Sequence, residues 1–300
     1  METPGGIDEF RSGYVSIIGR PNVGKSTLLN SILGEKISIV TPKPQTTRNK
    51  IIGIKTVPGA QIIFIDTPGI HHPKHKLGQT MVRAAAEALN EVDVILYMIE
   101  PHETDTGASP VLGLLRAVKS PVFLIINKVD TVRKQDVLPL INSFREKFPF
   151  KEIIPISALK RDGIGLLLKM ICDYLLPGPR YYPDDLITEQ LERFMVSEIV
   201  REKIMQRTGK ELPYAVAVDV VRWDDRADGL ISMSCNIYVE REGQKAIIIG
   251  KRGGMLKAVG SAARSDIQRL LNAKVYLELW VKVKRDWRND DQLLKELGYR

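Results

Sequence analysis

Hydrophobic residues in the first 175 positions of this 300-residue chain come in short unbroken runs separated by amphipathic stretches. The runs fall at 15–19, 61–66, 93–99, 121–127 and 152–157. A run without polar alternation belongs on a strand covered on both faces, and such strands are joined by crossover helices into a mainly parallel sheet. Residues 50–57 alternate more than the others, and Pro58-Gly59 separates them from the run at 61–66. That pair predicts a hairpin and one antiparallel strand. The expected first body is an α/β domain with a mostly parallel six-stranded sheet.

The rhythm breaks at 177–185, where three prolines in seven residues cannot continue a helix. Beyond it, 187–207 has helical spacing, with Leu191, Phe194, Met195, Ile199 and Ile204 on or near one face. Residues 215–222 and 232–240 alternate as strands, 246–271 is helical apart from a glycine cluster, and 275–283 alternates again. This order predicts a smaller α+β domain. The expected division is a flexible N-terminus at 1–12, a first domain at 13–176, a linker at 177–187, and a second domain with a C-terminal tail at 188–300.

Composition narrows the class without naming a function. With 44% hydrophobic and 27% charged residues the chain suits packed cores in a soluble protein. A net charge of +8 allows an anionic partner without requiring one. The two cysteines, Cys172 and Cys235, lie in a helix-like and a strand-like stretch, so a disulfide framework is excluded. They are expected as buried small hydrophobes in a reducing compartment. Met1–Gly6 has no basic region followed by an apolar core, and no apolar run approaches membrane-spanning length. A cytoplasmic location is expected.

Chemistry enters at the ends of the apolar runs. Gly19-Arg20-Pro21-Asn22-Val23-Gly24-Lys25-Ser26 follows a strand and precedes a helix, as a phosphate-binding loop must. Its N–H groups and the positive end of the helix suit phosphates, with Thr27 in the helix's first turn. Lys25 is placed to reach the β- and γ-phosphates and Ser26 to ligate Mg²⁺. Asp66-Thr67-Pro68-Gly69 ends the third run, where Asp66 serves Mg²⁺ and the Gly69 N–H senses a γ-phosphate. Between them, Gln45-Thr46-Thr47-Arg48 offers a threonine, Thr47 by choice, as a ligand when a triphosphate orders the loop. Asn127-Lys128-Val129-Asp130 follows another strand. Asp130 can accept from both the N1–H and the exocyclic amine of guanine, a donor pair that adenine lacks. Ser157-Ala158-Leu159 is placed to meet guanine O6. Together the motifs point to GTP and away from ATP. Ile70 stands where Ras-like GTPases carry a water-orienting glutamine, so no general base is assigned. Transition-state and phosphate contacts are expected from Lys25, Thr47 and Gly69.

Charge is segregated in the second half. Residues 241–288 hold twelve Lys/Arg against four Asp/Glu, whereas 181–240 hold seven against twelve. Within the basic block lies Gly250-Lys251-Arg252-Gly253, a glycine turn between helices that suits close approach to a nucleic-acid backbone. With Lys257 it is the expected RNA contact. Lys282, Lys284 and Arg285 either flank the RNA path or form a solvated strand edge. A rival reading takes this domain as a docking module, at a membrane surface or on a protein partner. A third, an RNA-modifying enzyme, lacks a catalytic cysteine or cofactor constellation. The His71-His72-Pro73-Lys74-His75 cluster lacks the fixed scaffold that a metal site needs.

The union of these segments with Val239-Glu240-Arg241-Glu242-Gly243-Gln244-Lys245 and Leu277-Glu278-Leu279-Trp280-Val281-Lys282-Val283 resembles the bacterial Era GTPases over nearly the whole chain. The resemblance implies a P-loop GTPase domain followed by a type II KH domain. It further implies binding near the 3′ end of 16S rRNA, a part in 30S ribosomal subunit assembly, and peripheral association with the inner membrane; DNA is not expected. In related members an asparagine matching Asn22 helps bind a monovalent cation, which implies K⁺ here. The family's turn is usually followed by a small residue; here Gly254 takes that place.

Overall fold

The computed structural model describes residues 9–70, 73, 75–90, 92–102 and 110–299. His71, His72, Lys74 and the first eight residues, on which the histidine-cluster and N-terminal expectations fall, lie outside them. The described residues form two compact units, drawn from 1–38, 49–71 and 82–189, and from 39–48, 72–81 and 190–300.

The first unit is built on strands β1 (Arg11–Gly19), β2 (Ile51–Val57), β3 (Ala60–Asp66), β4 (Val94–Ile99), β5 (Val122–Ile126) and β6 (Glu152–Pro155). They form one sheet in the order β2-β3-β1-β4-β5-β6. Only β2 and β3 are antiparallel, joined through Pro58-Gly59, where Gly59 has φ +78°. The other neighbours pair in parallel, the βαβ arrangement that unbroken apolar runs demand. All six residues of β4 and all five of β5 are buried. Helices α1 (Lys25–Leu33), α2 (Lys76–Glu87), α3 (Pro110–Leu115), α4 (Lys134–Arg145) and α5 (Ile164–Tyr174) connect or follow the strands. Register places Ile17 opposite Asp66 and Ile99 opposite Ile126, so the parallel strands end nearly level. The loops after β1, β3, β5 and β6 therefore leave from one edge of the sheet, where open α/β sheets bind ligands.

The stretch expected as a linker is bound down along this unit. Gln61, fully buried on β3, accepts from the N–H groups of Tyr181 (2.9 Å) and Tyr182 (3.0 Å) and donates to the Tyr182 carbonyl at 2.9 Å. Farther on, Ile54 N–H donates to the Ile187 carbonyl (2.9 Å) and the Thr188 hydroxyl to the Ile52 carbonyl (2.6 Å). A buried amide needs partners, and the prolines on either side keep this strap extended.

The second unit carries β7 (Ala217–Asp225), β8 (Leu230–Val239) and β9 (Lys274–Val283), in that order, with β7/β8 antiparallel and β8/β9 parallel. Helices α6 (Glu192–Arg207), α7 (Glu242–Ile249) and α8 (Gly254–Leu271) share a core with Met233, Cys235, Ile237 and Val239. The first helix is shorter than its spacing predicts: it begins at Glu192 and leaves Leu191 exposed. Cys235 is buried as expected, while Cys172 is half-buried; both are free.

Two features of this unit escape the hydrophobic pattern. The expected tail is ordered: Trp287, helix α9 (Asp291–Glu296) and Tyr299 make a buried cluster with Leu77, Met81 and Ala217, and the Trp287 indole donates to the Ala215 carbonyl at 3.0 Å. And residues 39–48 pack here. Val40 N–H donates to Glu202 (3.0 Å), and Lys43 donates to the Met205 and Thr208 carbonyls at the C-terminal end of α6. The fully buried Arg201 guanidinium grips the Glu198 carboxylate and the Thr46 carbonyl. Arg48 donates to the carbonyls of Val216 (2.7 Å) and Tyr214 (3.1 Å), its guanidinium 5.7 Å from the Trp287 ring centroid and 5.8 Å from that of Tyr299. With the sheet on one side and this segment on the other, α6 is buried from Met195 to Met205, and the buried charges Glu198, Arg201, Glu202 and Lys203 are paired.

Candidate functional site

At the common edge of the first sheet, the loop after β1 turns through Gly19 (φ +153°), Asn22 (φ +67°) and Gly24 (φ +101°). Gly24 opens α1 against the Asn127 carboxamide, which leaves no room for a Cβ. Gly69 lies equally close: a Cβ there would meet the Pro21 nitrogen at 2.7 Å. The loop after β3 is thereby pressed onto the loop after β1, and Ile70 N–H donates to the Gly19 carbonyl at 3.2 Å. Thr67 is fully buried, its hydroxyl on the Ile17 carbonyl at 2.7 Å.

Lys25 folds back to donate to the carbonyls of Arg20 (3.0 Å) and Gly19 (3.3 Å). Burial lowers its pKa to about 8, against the opposing pull of Asp66. Asp66 is fully buried, and burial raises its pKa, countered by the Lys25 charge and by hydroxyl donors. Its Oδ2 accepts from Ser26 (2.6 Å) and Ser38 (3.0 Å). Its Oδ1 is enclosed without a hydrogen-bond partner. A bare buried carboxylate oxygen beside a serine hydroxyl is the donor chemistry a hard divalent cation takes. These residues fit Mg²⁺. Thr47 is buried, and it belongs with the rest of 39–48 to the second unit. Among the described residues no cluster of three or more His, Cys, Asp or Glu could hold a metal.

The loops after β5 and β6 are joined by one side chain. Asn127 donates to the Val23 carbonyl (2.8 Å) and accepts from Ala158 N–H (2.9 Å). Lys128 donates to the Asn22 carbonyl (2.8 Å) and to Glu100. Asp130 stands next to Lys160, Nζ to Oδ2 3.9 Å, and Leu159 is exposed. Ile70 is buried in the core with Ile18, Ala85 and Leu89, so it presents no group to a water. Sequence reasoning missed Ser38, Glu100 and Lys160, each of which meets its partner through the fold alone.

In the second unit, Gly250 (φ +71°), Arg252 (φ +51°) and Gly253 (φ +76°) make the turn between α7 and α8. A Cβ on Gly250 would lie 2.9 Å from the Met255 nitrogen, so the tight turn requires glycine there. Beside it runs a groove between α8 and β9, floored by Leu256, Leu277 and Leu279 and edged by Lys257, Arg264 and Tyr276. Lys257 thus joins the turn as expected, whereas Lys282 and Lys284 lie outside the groove. Arg264 and Gly260 were missed, although positions 253, 256, 257, 260, 261 and 264 form one helical stripe that leads from the turn.

Residues 14–128 match the family described as 50S ribosome-binding GTPase, and 211–288 match the KH domain. The chain is 53% identical to the GTPase Era of Ruminiclostridium cellulolyticum over 293 residues, covering 97% of this chain and 98% of that one. It is 53% identical to that of Geobacter metallireducens over 292 residues, with the same coverage. Two solved structures superpose over 97% of this chain and 99% of theirs, each at 43% identity. One is Era in complex with MgGDPNP and nucleotides 1506–1542 of 16S ribosomal RNA, TM-score 0.92; the other is a variant of Aquifex aeolicus Era bound to GDP·AlF4⁻, TM-score 0.91. A P-loop GTPase sheet followed by a KH fold, matched end to end by these relatives, makes the chain a member of the Era family of GTPases.

Proposed function

We propose that this GTPase is a nucleotide-switched assembly factor that binds 16S rRNA near its 3′ end and acts in maturation of the 30S subunit. The observation that carries the reading is the union, in one chain, of a guanine-type loop at Asn127–Asp130 with the glycine turn and basic-edged groove of the second unit. The Era solved with MgGDPNP and a 16S fragment supports it.

In this reading, Gly19, Arg20, Pro21, Asn22, Val23, Gly24, Ser26 and Thr27 surround the phosphates and Lys25 neutralises them. Ser26 and Asp66 hold Mg²⁺, and Thr47 is the ligand that a triphosphate recruits by ordering its loop. The ion, when bound, offsets charge on the phosphate oxygens. Thr67 and Pro68 set the Gly69 N–H against the γ-phosphate. Lys128 and the loop Ser157–Leu159 flank the base, and Asp130 reads it. With Ile70 in the core, unassisted hydrolysis is slow. Asn22, exposed at the loop's apex, takes K⁺ beside the phosphates; replacing KCl by NaCl then lowers the hydrolysis rate. Gly250, Lys251, Arg252, Gly253 and Lys257 clamp the RNA backbone, with Lys282 and Lys284 beyond. The chain works in the cytoplasm and touches the inner membrane peripherally, which vesicle co-sedimentation in competition with RNA examines.

Filter binding of a 3′ 16S oligomer in GDP and in a non-hydrolysable GTP analogue tests the switch; equal affinities would sink it. Replacing Lys251 and Arg252 together by acidic residues is expected to abolish RNA binding and leave GTP binding intact. Retained RNA affinity would remove the clamp assignment.

A further inference from the structure

The outer face of β9 is set out as a stripe. Positions 274, 276, 278, 280, 282 and 284 read Lys, Tyr, Glu, Trp, Lys, Lys, and all but Glu278 are exposed. Tyr276 is 49% exposed and Trp280 59%, unusual for rings of this size on a strand whose other face is packed. The Tyr276 hydroxyl donates to Glu278 at 3.2 Å, which fixes that ring, and the same Tyr276 edges the groove beside the glycine turn. Opposite Trp280 in the register is Asn236, a small and buried side chain. Three cations and one anion alternate with two aromatic rings on an edge strand. That is the make-up of a surface that stacks bases and follows a phosphate backbone.

We infer that single-stranded RNA leaving the groove at Tyr276 continues along β9, stacking a base on Trp280 with its phosphates against Lys282 and Lys284. The inference rests on the RNA-binding reading above. It is tested with the full chain and two oligoribonucleotides, one of about four nucleotides, which a KH groove holds, and one of about ten. Trp280→Leu is expected to weaken the longer oligomer about tenfold and leave the shorter one unchanged, and the pair Lys282→Glu with Lys284→Glu to weaken the longer oligomer more than the shorter. Trp280 fluorescence, read in a Trp223→Phe background because Trp287 is buried, should be quenched by the longer oligomer only. Wild-type affinity of Trp280→Leu for the longer oligomer would overturn the proposal, as would an equal loss for both oligomers with a lowered thermal midpoint, the mark of a structural lid over Asn236. If the wild-type chain binds neither oligomer, the RNA-binding reading itself fails.

A second inference comes from the first unit. Ser26 and Asn30 lie four residues apart on one face of α1. Ser26 donates to Asp66 Oδ2, while Asn30 holds Ser38 on both sides, accepting from its N–H (2.9 Å) and donating to its carbonyl (2.7 Å). Ser38, 1% exposed, donates in turn to Asp66 Oδ2 at 3.0 Å. The geometry points to Ser38 as a positioning residue for Mg²⁺: by donating to Oδ2 it fixes the rotation of the carboxylate that stands beside Ser26. This rests on the Mg²⁺ reading of Ser26 and Asp66. The readout is the Mg²⁺ concentration that half-saturates GDP affinity. Ser38→Ala should raise it about tenfold, Ser38→Thr should restore it, and affinity in EDTA should not change. Ser38→Cys, nearly the same size, keeps the test open if the alanine variant unfolds. An unchanged Mg²⁺ requirement with a lowered thermal midpoint would make the hydroxyl structural only. If Asp66→Asn leaves the requirement unchanged as well, the Mg²⁺ reading has failed first.

Discussion

In the proposed site Asp130 and Lys25 bring opposite charges to the nucleotide, and each sets a measurable quantity. Two guanine donors meeting one carboxylate cannot be matched by a carboxamide, which offers a single acceptor oxygen. Asp130→Asn should weaken GDP about a hundredfold and improve xanthosine diphosphate, whose C2 carbonyl accepts from the new amide; unchanged guanine affinity by titration calorimetry would refute the assignment. Lys25 adds a pH dependence. Its pKa is lowered to about 8 in the nucleotide-free protein, and phosphates favour the charged form. Below pH 8 the ammonium is already present; above it, binding must take up a proton. GDP affinity should therefore fall by up to about tenfold per pH unit above 8, with proton uptake visible as a buffer-dependent heat. A flat profile between pH 7 and 9 contradicts the buried-lysine account. The motif loops that carry them were legible in the sequence because phosphate and guanine chemistry demands fixed residue types at fixed short spacings. Ser38 and Lys160 were not: a serine or lysine in a loop carries no mark of the carboxylate that the fold brings to it.

Elements were legible to the extent that their apolar residues are periodic. The unbroken runs became β4 and β5, and the alternating one became β2, paired antiparallel as expected. What periodicity could not reveal is structure held by polar groups. One buried amide makes three of the hydrogen bonds that hold the strap after α5, so Gln61→Leu should cost about 2–4 kcal/mol in denaturant unfolding, although leucine adds hydrophobicity to β3. A stability change near zero would mean that the Ile54 and Thr188 bonds suffice. The tail was missed for a related reason: Trp287, Leu294 and Tyr299 are too few and too widely spaced to form a pattern, yet all three are buried.

At the scale of the whole molecule, the two compact units do not follow the order of the chain. Residues 39–48 lie between the phosphate loop and β2 in sequence, yet their partners are Arg201, Glu202, Met205 and Val216. A chain ending at Glu189 keeps every nucleotide motif and loses all of those partners. Trypsin should then cut after Arg48 at least about tenfold faster than in the full chain, as followed by mass spectrometry. Equal rates would show that the protection comes from elsewhere. This borrowed stretch also constrains how such proteins can be recombined. A graft of 190–300 onto another nucleotide-binding domain carries an empty socket, framed by Trp287, Tyr299 and the carbonyls of Tyr214 and Val216, where Arg48 belongs. The second half is therefore not a portable cassette: an exchange that keeps its packing must carry along both 39–48 and the stretch that brings Leu77 and Met81 to Trp287.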